Sequence, residues 1–166
     1  MNFINFVIRS VDRFLKIVIS LMIGVMLFVV VLQVFFRYVL NAALPWPEEL
    51  SRFLMIWSGM LAAIYAFYEG SHVGVTFLIQ KFGRTIRISI IVISQILISI
   101  FLFFLTFYGT TVLRQFLDLR SAALRIPMVV VYAAVPVSTF FMILVSLKLI
   151  QKAFSEPPDV ASKVAP

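Results

Sequence analysis

Four runs of mostly apolar residues, each about 20 residues long, limit what this chain can fold into. They cover residues 17–36, 50–68, 86–108 and 127–147. A helix rises about 1.5 Å per residue, so runs of this length match the ~30 Å hydrocarbon core of a bilayer. The chain of 166 residues is 63% hydrophobic and only 13% charged, which is more apolar surface than a small soluble domain can bury. The sequence therefore predicts an all-α integral membrane protein with four transmembrane helices.

Two flanking segments have an amphipathic pattern. In residues 2–16 the polar side chains recur every three or four positions, which is typical of a helix in the membrane interface. A straight extension of the first span is an equal alternative. Residues 109–124 behave similarly, and the chain there must protrude, tilt or turn into the interface. We expect one membrane domain, residues 1–154, with short amphipathic interfacial helices, followed by a flexible proline-containing tail over 155–166.

The distribution of lysine and arginine predicts the orientation. Four spans place both termini and the middle loop on one side, which holds nine basic residues, whereas the other side holds five. By the positive-inside rule, both termini are cytoplasmic. We attribute the net charge of +7 to this topology and to anionic phospholipids rather than to nucleic acid. The first run is too long for a signal peptide, so we expect a retained helix.

The interiors of the four runs offer little chemistry. No charged residue lies in the middle of a run, and Gln33 and Gln95 are the strongest polar residues there. Each is better explained as an interhelical hydrogen-bonding residue than as a ligand. With no cysteine and one histidine, thiolate metal sites and axial haem ligation by two histidines are excluded. We expect no catalytic, metal or cofactor site, hence not an enzyme but a chain that supports another subunit. A stand-alone four-helix transporter or channel, acting as an oligomer, is the alternative.

The richest polar cluster surrounds the loop after the first run. Pro47 suits a helix start, and Glu48 and Glu49 then fall in the first turn, where the helix dipole favours anions. Glu48 precedes Arg52 by four residues, which favours an ion pair, and we also predict that Arg37 pairs with Glu49. An ordinary helix start with aromatic anchors at the membrane interface explains the same residues equally simply. The whole cluster is Arg37, Tyr38, Trp46, Glu48, Glu49, Arg52 and Trp57.

The order of these residues resembles the small membrane subunit, the DctQ family, of tripartite ATP-independent periplasmic (TRAP) transporters. The resemblance covers roughly residues 10–150. Two positions depart from the pattern of many relatives: Ala62 replaces a glycine, and Thr76 replaces an acidic residue after the loop histidine. The residues that carry the resemblance are Phe35 to Tyr38, Trp46 to Arg52, Trp57, Ala62, Ala63, His72, Ile126, Pro127, Tyr132, Val135 and Pro136.

This resemblance implies a role in a tripartite uptake system of the bacterial inner membrane. A periplasmic binding protein would deliver an organic acid, such as a C4-dicarboxylate or sialic acid, to a large elevator-type subunit. This chain would form a heterodimer with that large subunit, which would hold the sodium sites, so no cofactor is expected here. The cluster around Glu49 would lie near the periplasmic edge of the subunit junction. Candidates for docking the binding protein are Arg114, Asp118, Arg120 and Arg125.

Overall fold

The computed structural model describes residues 2–69 and 84–155. Predictions that concern residues 70–83 and 156–166, including the resemblance at His72 and Thr76 and most of the predicted flexible tail, lie outside the described residues. The described chain forms the helices α1 (Asn2–Tyr38), α2 (Trp46–Tyr68), α3 (Arg84–Leu113), α4 (Met128–Tyr132) and α5 (Ala134–Ser155). A single 3-10 turn, Arg114–Phe116, follows α3.

The predicted fold class is confirmed. Four helical segments are long and apolar enough to cross a bilayer, and each contains or closely overlaps one of the apolar runs. Their bounds are Arg13–Tyr38, Trp46–Tyr68, Ile88–Phe116 and Met128–Gln151. Within the described ranges the chain forms no strand, and β-type pairing is limited to one isolated bridge between Arg120 and Pro127.

The two amphipathic segments differ in structure. Residues 2–16 belong to the same continuous helix as the first span, as in the straight-extension alternative. This 37-residue helix is about 55 Å long, well beyond the thickness of a hydrocarbon core. Residues 109–124 do not continue as one helix, because α3 ends at Leu113 and residues 117–127 form a compact turn after the 3-10 segment.

The four spans form an open row in which α2 and α5 are the inner helices. The helix α2 packs against α1 on one side and α5 on the other, and α5 also packs against α3. In the described part of the chain no comparable packing joins α1 to α3, so the row does not close into a bundle. The two outer helices therefore leave most of their apolar side chains exposed, whereas α5 carries three of the most deeply buried polar residues, Ser138, Thr139 and Ser146.

The last span is interrupted near Pro136, which lies inside the fourth apolar run. Proline has no N–H to donate to the carbonyl of Tyr132, and the span is interrupted at Ala133, between α4 and α5. Gly109 of α3 packs against this proline. A Cβ atom at Gly109 would lie 3.3 Å from the Cβ of Pro136, a separation that real Cβ contacts rarely reach. The absence of a side chain at Gly109 thus allows α3 to approach Pro136 closely.

Candidate functional site

Polar residues from three segments meet at one end of the helical row, which we call the Glu49 end. It comprises the α1–α2 loop, the first turns of α2 and the 117–127 turn. Pro47 is buried in the first turn of α2, and Glu48 and Glu49 follow it directly. The sequence thus places two carboxylates beside the exposed N–H groups of a helix start, where negative charge is stabilised.

Glu48 and Arg52 form the predicted ion pair. An Nη atom of Arg52 lies 2.9 Å from Oε1 of Glu48, one helical turn away. The Glu48 side chain is 66% exposed, and the Arg52 side chain is 60% exposed. Exposed pairs of this kind contribute only a few tenths of a kcal/mol, roughly 0.3–0.5 for a pair four residues apart on a helix. The pair therefore orders the surface of α2 more than it stabilises the protein.

The predicted ion pair between Glu49 and Arg37 is wrong, although both residues lie in the described part of the chain. The two carboxylate oxygens of Glu49 accept hydrogen bonds from the backbone N–H groups of Ala123 and Leu124, at 3.0 Å each. The guanidinium of Arg37 lies over the neighbouring ring of Tyr38, 5.8 Å from its centroid. A half-buried backbone N–H needs an acceptor, whereas an exposed arginine at a helix end is solvated by water.

The turn that binds Glu49 has its own internal hydrogen bonds. The N–H of Ser121 donates to the carbonyl of Ile126 at 2.9 Å, and the N–H of Ile126 donates to the Ser121 hydroxyl at 3.2 Å. The N–H of Met128 donates to the carbonyl of Leu119 at 2.9 Å. Arg125 has a φ of +57°, a left-handed conformation that is uncommon for residues other than glycine. These features indicate a single, well-specified loop conformation.

A shallow crevice of about 390 Å³ separates the turn from the start of α2. Its walls combine carboxylate and guanidinium groups from α2 with small apolar side chains from the loops. The lining residues are Pro45, Glu48, Glu49, Arg52, Ala122 and Ala123. The crevice is open to solvent, so it cannot bury most of the surface of a small-molecule ligand.

The remaining predicted site residues have mixed positions. The indole N–H of Trp57 donates to the carbonyl of Val130 at 3.2 Å, which assigns Trp57 to packing between α2 and α4. Tyr38 is exposed at the end of α1, and Trp46 is half-buried at the start of α2. The four docking candidates are all exposed, and three of them, Asp118, Arg120 and Arg125, belong to the turn that Glu49 binds. An Nη atom of Arg120 also lies 3.5 Å from the carbonyl oxygen of Arg125.

A polar seam between α3 and α5 was only partly foreseen. Gln95 is an interhelical hydrogen-bonding residue as predicted, since its Oε1 accepts from the Ser146 hydroxyl at 2.8 Å. The Ser99 and Ser146 hydroxyls lie 2.8 Å apart. Seven residues from Ser99 along α3, and seven from Ser146 along α5, the Thr106 and Thr139 hydroxyls are also 2.8 Å apart. The sequence carries a signal for this seam, because the hydroxyls on both helices are seven residues apart, as two antiparallel helices in register require.

A second missed contact joins α1 to α2 at the opposite end of the row. The ammonium of Lys16 lies 4.9 Å from the centroid of the Tyr65 ring, a cation–π geometry. The Tyr65 hydroxyl donates a hydrogen bond to the carboxylate of Glu69. Tyr65 and Glu69 lie at the C-terminal end of α2, and Lys16 lies near the start of the first membrane span. Each end of α2 is thus attached to another segment by a charged or aromatic group.

An open row of four apolar spans defines the class: this is a multi-pass membrane protein. Across residues 2–69 and 84–155, no group of three His, Cys, Asp or Glu side chains is placed to hold a metal ion. Some polar groups inside the described spans bind each other between helices, namely Gln95 and Ser99 with Ser146, and Thr106 with Thr139. The buried Ser138 hydroxyl, in contrast, has no hydrogen-bond partner among the described residues.

Residues 26–155 match the sequence model of the family described as "Tripartite ATP-independent periplasmic transporters, DctQ component". The chain belongs to this family, as the resemblance at the Glu49 end indicates. A protein of Haemophilus influenzae described as "Putative TRAP transporter small permease protein" is 38% identical over 79 residues. The match covers 46% of this chain and 49% of that protein, so the chain spans about half the length of this relative. The family is one of transporter components, and the protein is a small DctQ-type subunit.

Proposed function

We propose that this chain is a scaffold subunit of a sodium-coupled TRAP transporter that takes up an organic acid, such as a C4-dicarboxylate or sialic acid. It packs beside the large membrane subunit as a heterodimer and does not itself carry substrate or sodium. The observation that best supports this role is the α3–α5 seam, because Gln95, the strongest polar group of its span, is already bound to Ser146. A transport path needs polar groups that are free to exchange partners with a substrate.

The proposed orientation places both termini in the cytoplasm of a bacterial inner membrane and the Glu49 end in the periplasm. The excess of basic residues on the side of the termini, nine against five, supports it. At the Glu49 end, three exposed arginines and one aspartate face solvent around the 117–127 turn. We assign to Arg114, Asp118, Arg120 and Arg125 a part in docking the periplasmic binding protein, since complementary charge speeds and orients association.

The proposal is tested by uptake into liposomes under an inward sodium gradient. One preparation contains this chain alone, and a second contains the chain with its large membrane subunit and the binding protein. Only the second is expected to accumulate a labelled organic acid. Uptake by the chain alone would overturn the scaffold role and favour a stand-alone oligomeric transporter or channel. Replacing Gln33 and Gln95 with leucine further distinguishes the two hypotheses. In a scaffold subunit the change mainly loosens helix packing, whereas in a stand-alone transporter it removes polar groups that line the transport path and abolishes transport.

A further inference from the structure

The contact between Glu49 and the 117–127 turn joins positions that are 74 and 75 residues apart in the chain. Both carboxylate oxygens are used, one for each of two consecutive N–H groups. Consecutive N–H groups that converge on one point form a concave anion-binding site. The protein fills this site with a carboxylate of its own.

The neighbouring Glu48 provides an internal comparison. It has the same side chain on the same helical turn, but it is 66% exposed and binds Arg52 on its own helix. Glu49 is less exposed and binds only groups from the remote turn in the hydrogen bonds observed. Loss of Glu48 leaves an exposed arginine in water, whereas loss of Glu49 leaves two half-buried N–H groups without their acceptor. The two glutamates therefore have different tasks.

The internal hydrogen bonds of the turn do not include two of its backbone N–H groups, so these need an acceptor from another segment. The internal bonds use the N–H groups of Ser121 and Ile126, on either side of residues 122–125, and the N–H of Met128, just after the turn. The N–H groups of Ala123 and Leu124, at its tip, are bound by Glu49. The left-handed Arg125 directly follows this tip. Without the carboxylate, the tip has no acceptor that would favour this conformation over others.

We propose that Glu49 is a positioning residue, a built-in carboxylate ligand that holds the 117–127 turn in one conformation, and that the turn is a binding site for a small carboxylate once Glu49 is removed. Through this contact Glu49 sets where Arg120 and Arg125 stand on the exposed surface. The contact itself does not rest on the proposed function. Only its consequence for docking does.

Hydrogen–deuterium exchange of the full chain in lipid nanodiscs tests this proposal directly. The variants are Glu49→Ala and Glu49→Gln, and Glu48→Gln is the matched control. In peptides that cover residues 117–127, exchange is expected to become on the order of tenfold faster in both Glu49 variants, because charged hydrogen bonds protect these amides. Exchange in Glu48→Gln is expected to match the unmodified protein. Unchanged exchange of the turn in both Glu49 variants would overturn the proposal.

Chemical rescue separates a ligand role from a merely structural one. Acetate can occupy the space that Glu49→Ala vacates, and it is expected to slow the exchange of the turn again in a concentration-dependent manner. Acetamide, a neutral molecule of the same shape, is the control at equal ionic strength. Equal effects of acetate and acetamide would overturn the assignment of a carboxylate site. Glu49→Ala could also speed exchange throughout α5 by loosening the packing. In that case Glu49→Gln is the deciding variant, because glutamine has nearly the same size as glutamate. Faster exchange confined to the turn in Glu49→Gln supports the proposal, and unchanged exchange there refutes it.

Discussion

The Glu49 end and the α3–α5 seam both join segments that are distant in sequence, but they use different chemistry. At the Glu49 end, a charged carboxylate accepts two backbone N–H groups from a loop. In the seam, neutral hydroxyls and one amide bind each other between two helices, with Ser146 fully buried. Inside a membrane a charge is costly, so neutral pairs suit the seam. Near water the charge of a carboxylate costs less, and at the Glu49 end this carboxylate binds backbone N–H groups of an irregular turn.

Loss of hydrogen bonds should have different structural consequences in the two regions. The seam contributes many similar contacts along two helices, so each loss loosens the packing of the spans as a whole. The Glu49 contact has no duplicate among the described hydrogen bonds of the 117–127 turn, so its loss releases one loop and leaves the spans in place. The following variants, in order of decreasing expected effect, test this difference in the isolated chain.

Gly109→Leu is expected to have the largest effect. The new side chain would meet the ring of Pro136, where even a Cβ atom lies at 3.3 Å, so α3 and α5 must separate along the seam. Overpacking of this kind costs about 1–3 kcal/mol or more. The measurement is the free energy of unfolding in mixed micelles. Gly59→Leu is the control, since a Cβ atom there meets nothing within 4 Å. Equal losses in both variants would contradict a close contact between Gly109 and Pro136.

Ser146→Ala is expected to weaken the seam by roughly 1–2 kcal/mol, near the upper end for hydrogen bonds between membrane helices. The Ser146 hydroxyl lies within hydrogen-bonding distance of both Gln95 and Ser99, so its removal leaves two polar groups without their shared partner. Unfolding free energies again provide the readout. Ser89→Ala, at an exposed position of the same α3 helix that carries Gln95, should change little. An unchanged free energy of unfolding in Ser146→Ala would mean that helix packing, and not the hydrogen bonds of the hydroxyls, holds the seam together.

Trp57→Phe is expected to cost about 1 kcal/mol, because it removes one neutral hydrogen bond to the Val130 carbonyl while keeping an aromatic ring. The variant tests whether the short helix α4 is held by α2 as well as by the 117–127 turn. Its exchange in peptides covering residues 128–132 should rise, and exchange in the turn should stay unchanged. Faster exchange of the turn as well would show that the two regions are coupled rather than separate.

Glu48→Gln is expected to have the smallest effect, about 0.3–0.5 kcal/mol, because it removes an exposed ion pair within one helix. The loss should shrink further as salt is raised, since surface pairs are screened. Thermal unfolding at low and high ionic strength provides the measurement. A larger and salt-independent loss would indicate that Glu48 takes part in binding the turn, and would blur the distinction from Glu49.

Much of the fold could be predicted from single residues and their spacing. The four apolar runs, the helix start at Pro47, the Glu48–Arg52 pair and the interruption near Pro136 all depend on local patterns, and all are present in the structure. Gln95 was identified as an interhelical residue because a lone amide in an apolar span has few other uses. The partner of Glu49 was missed because a backbone N–H has no signature in a sequence. Arg37, a cation at the end of the preceding helix, therefore looked like the natural partner.

By itself, the sequence determined that this chain crosses a membrane four times and belongs among small TRAP transporter subunits, because apolar length and residue order are properties of the chain. Only the tertiary structure decided that the spans form an open row, that hydroxyls seven residues apart meet between α3 and α5, and that Glu49 binds a turn 74 residues away. The reason is physical. Which groups meet depends on helix register and on the path of irregular backbone, and both arise from packing over the whole molecule.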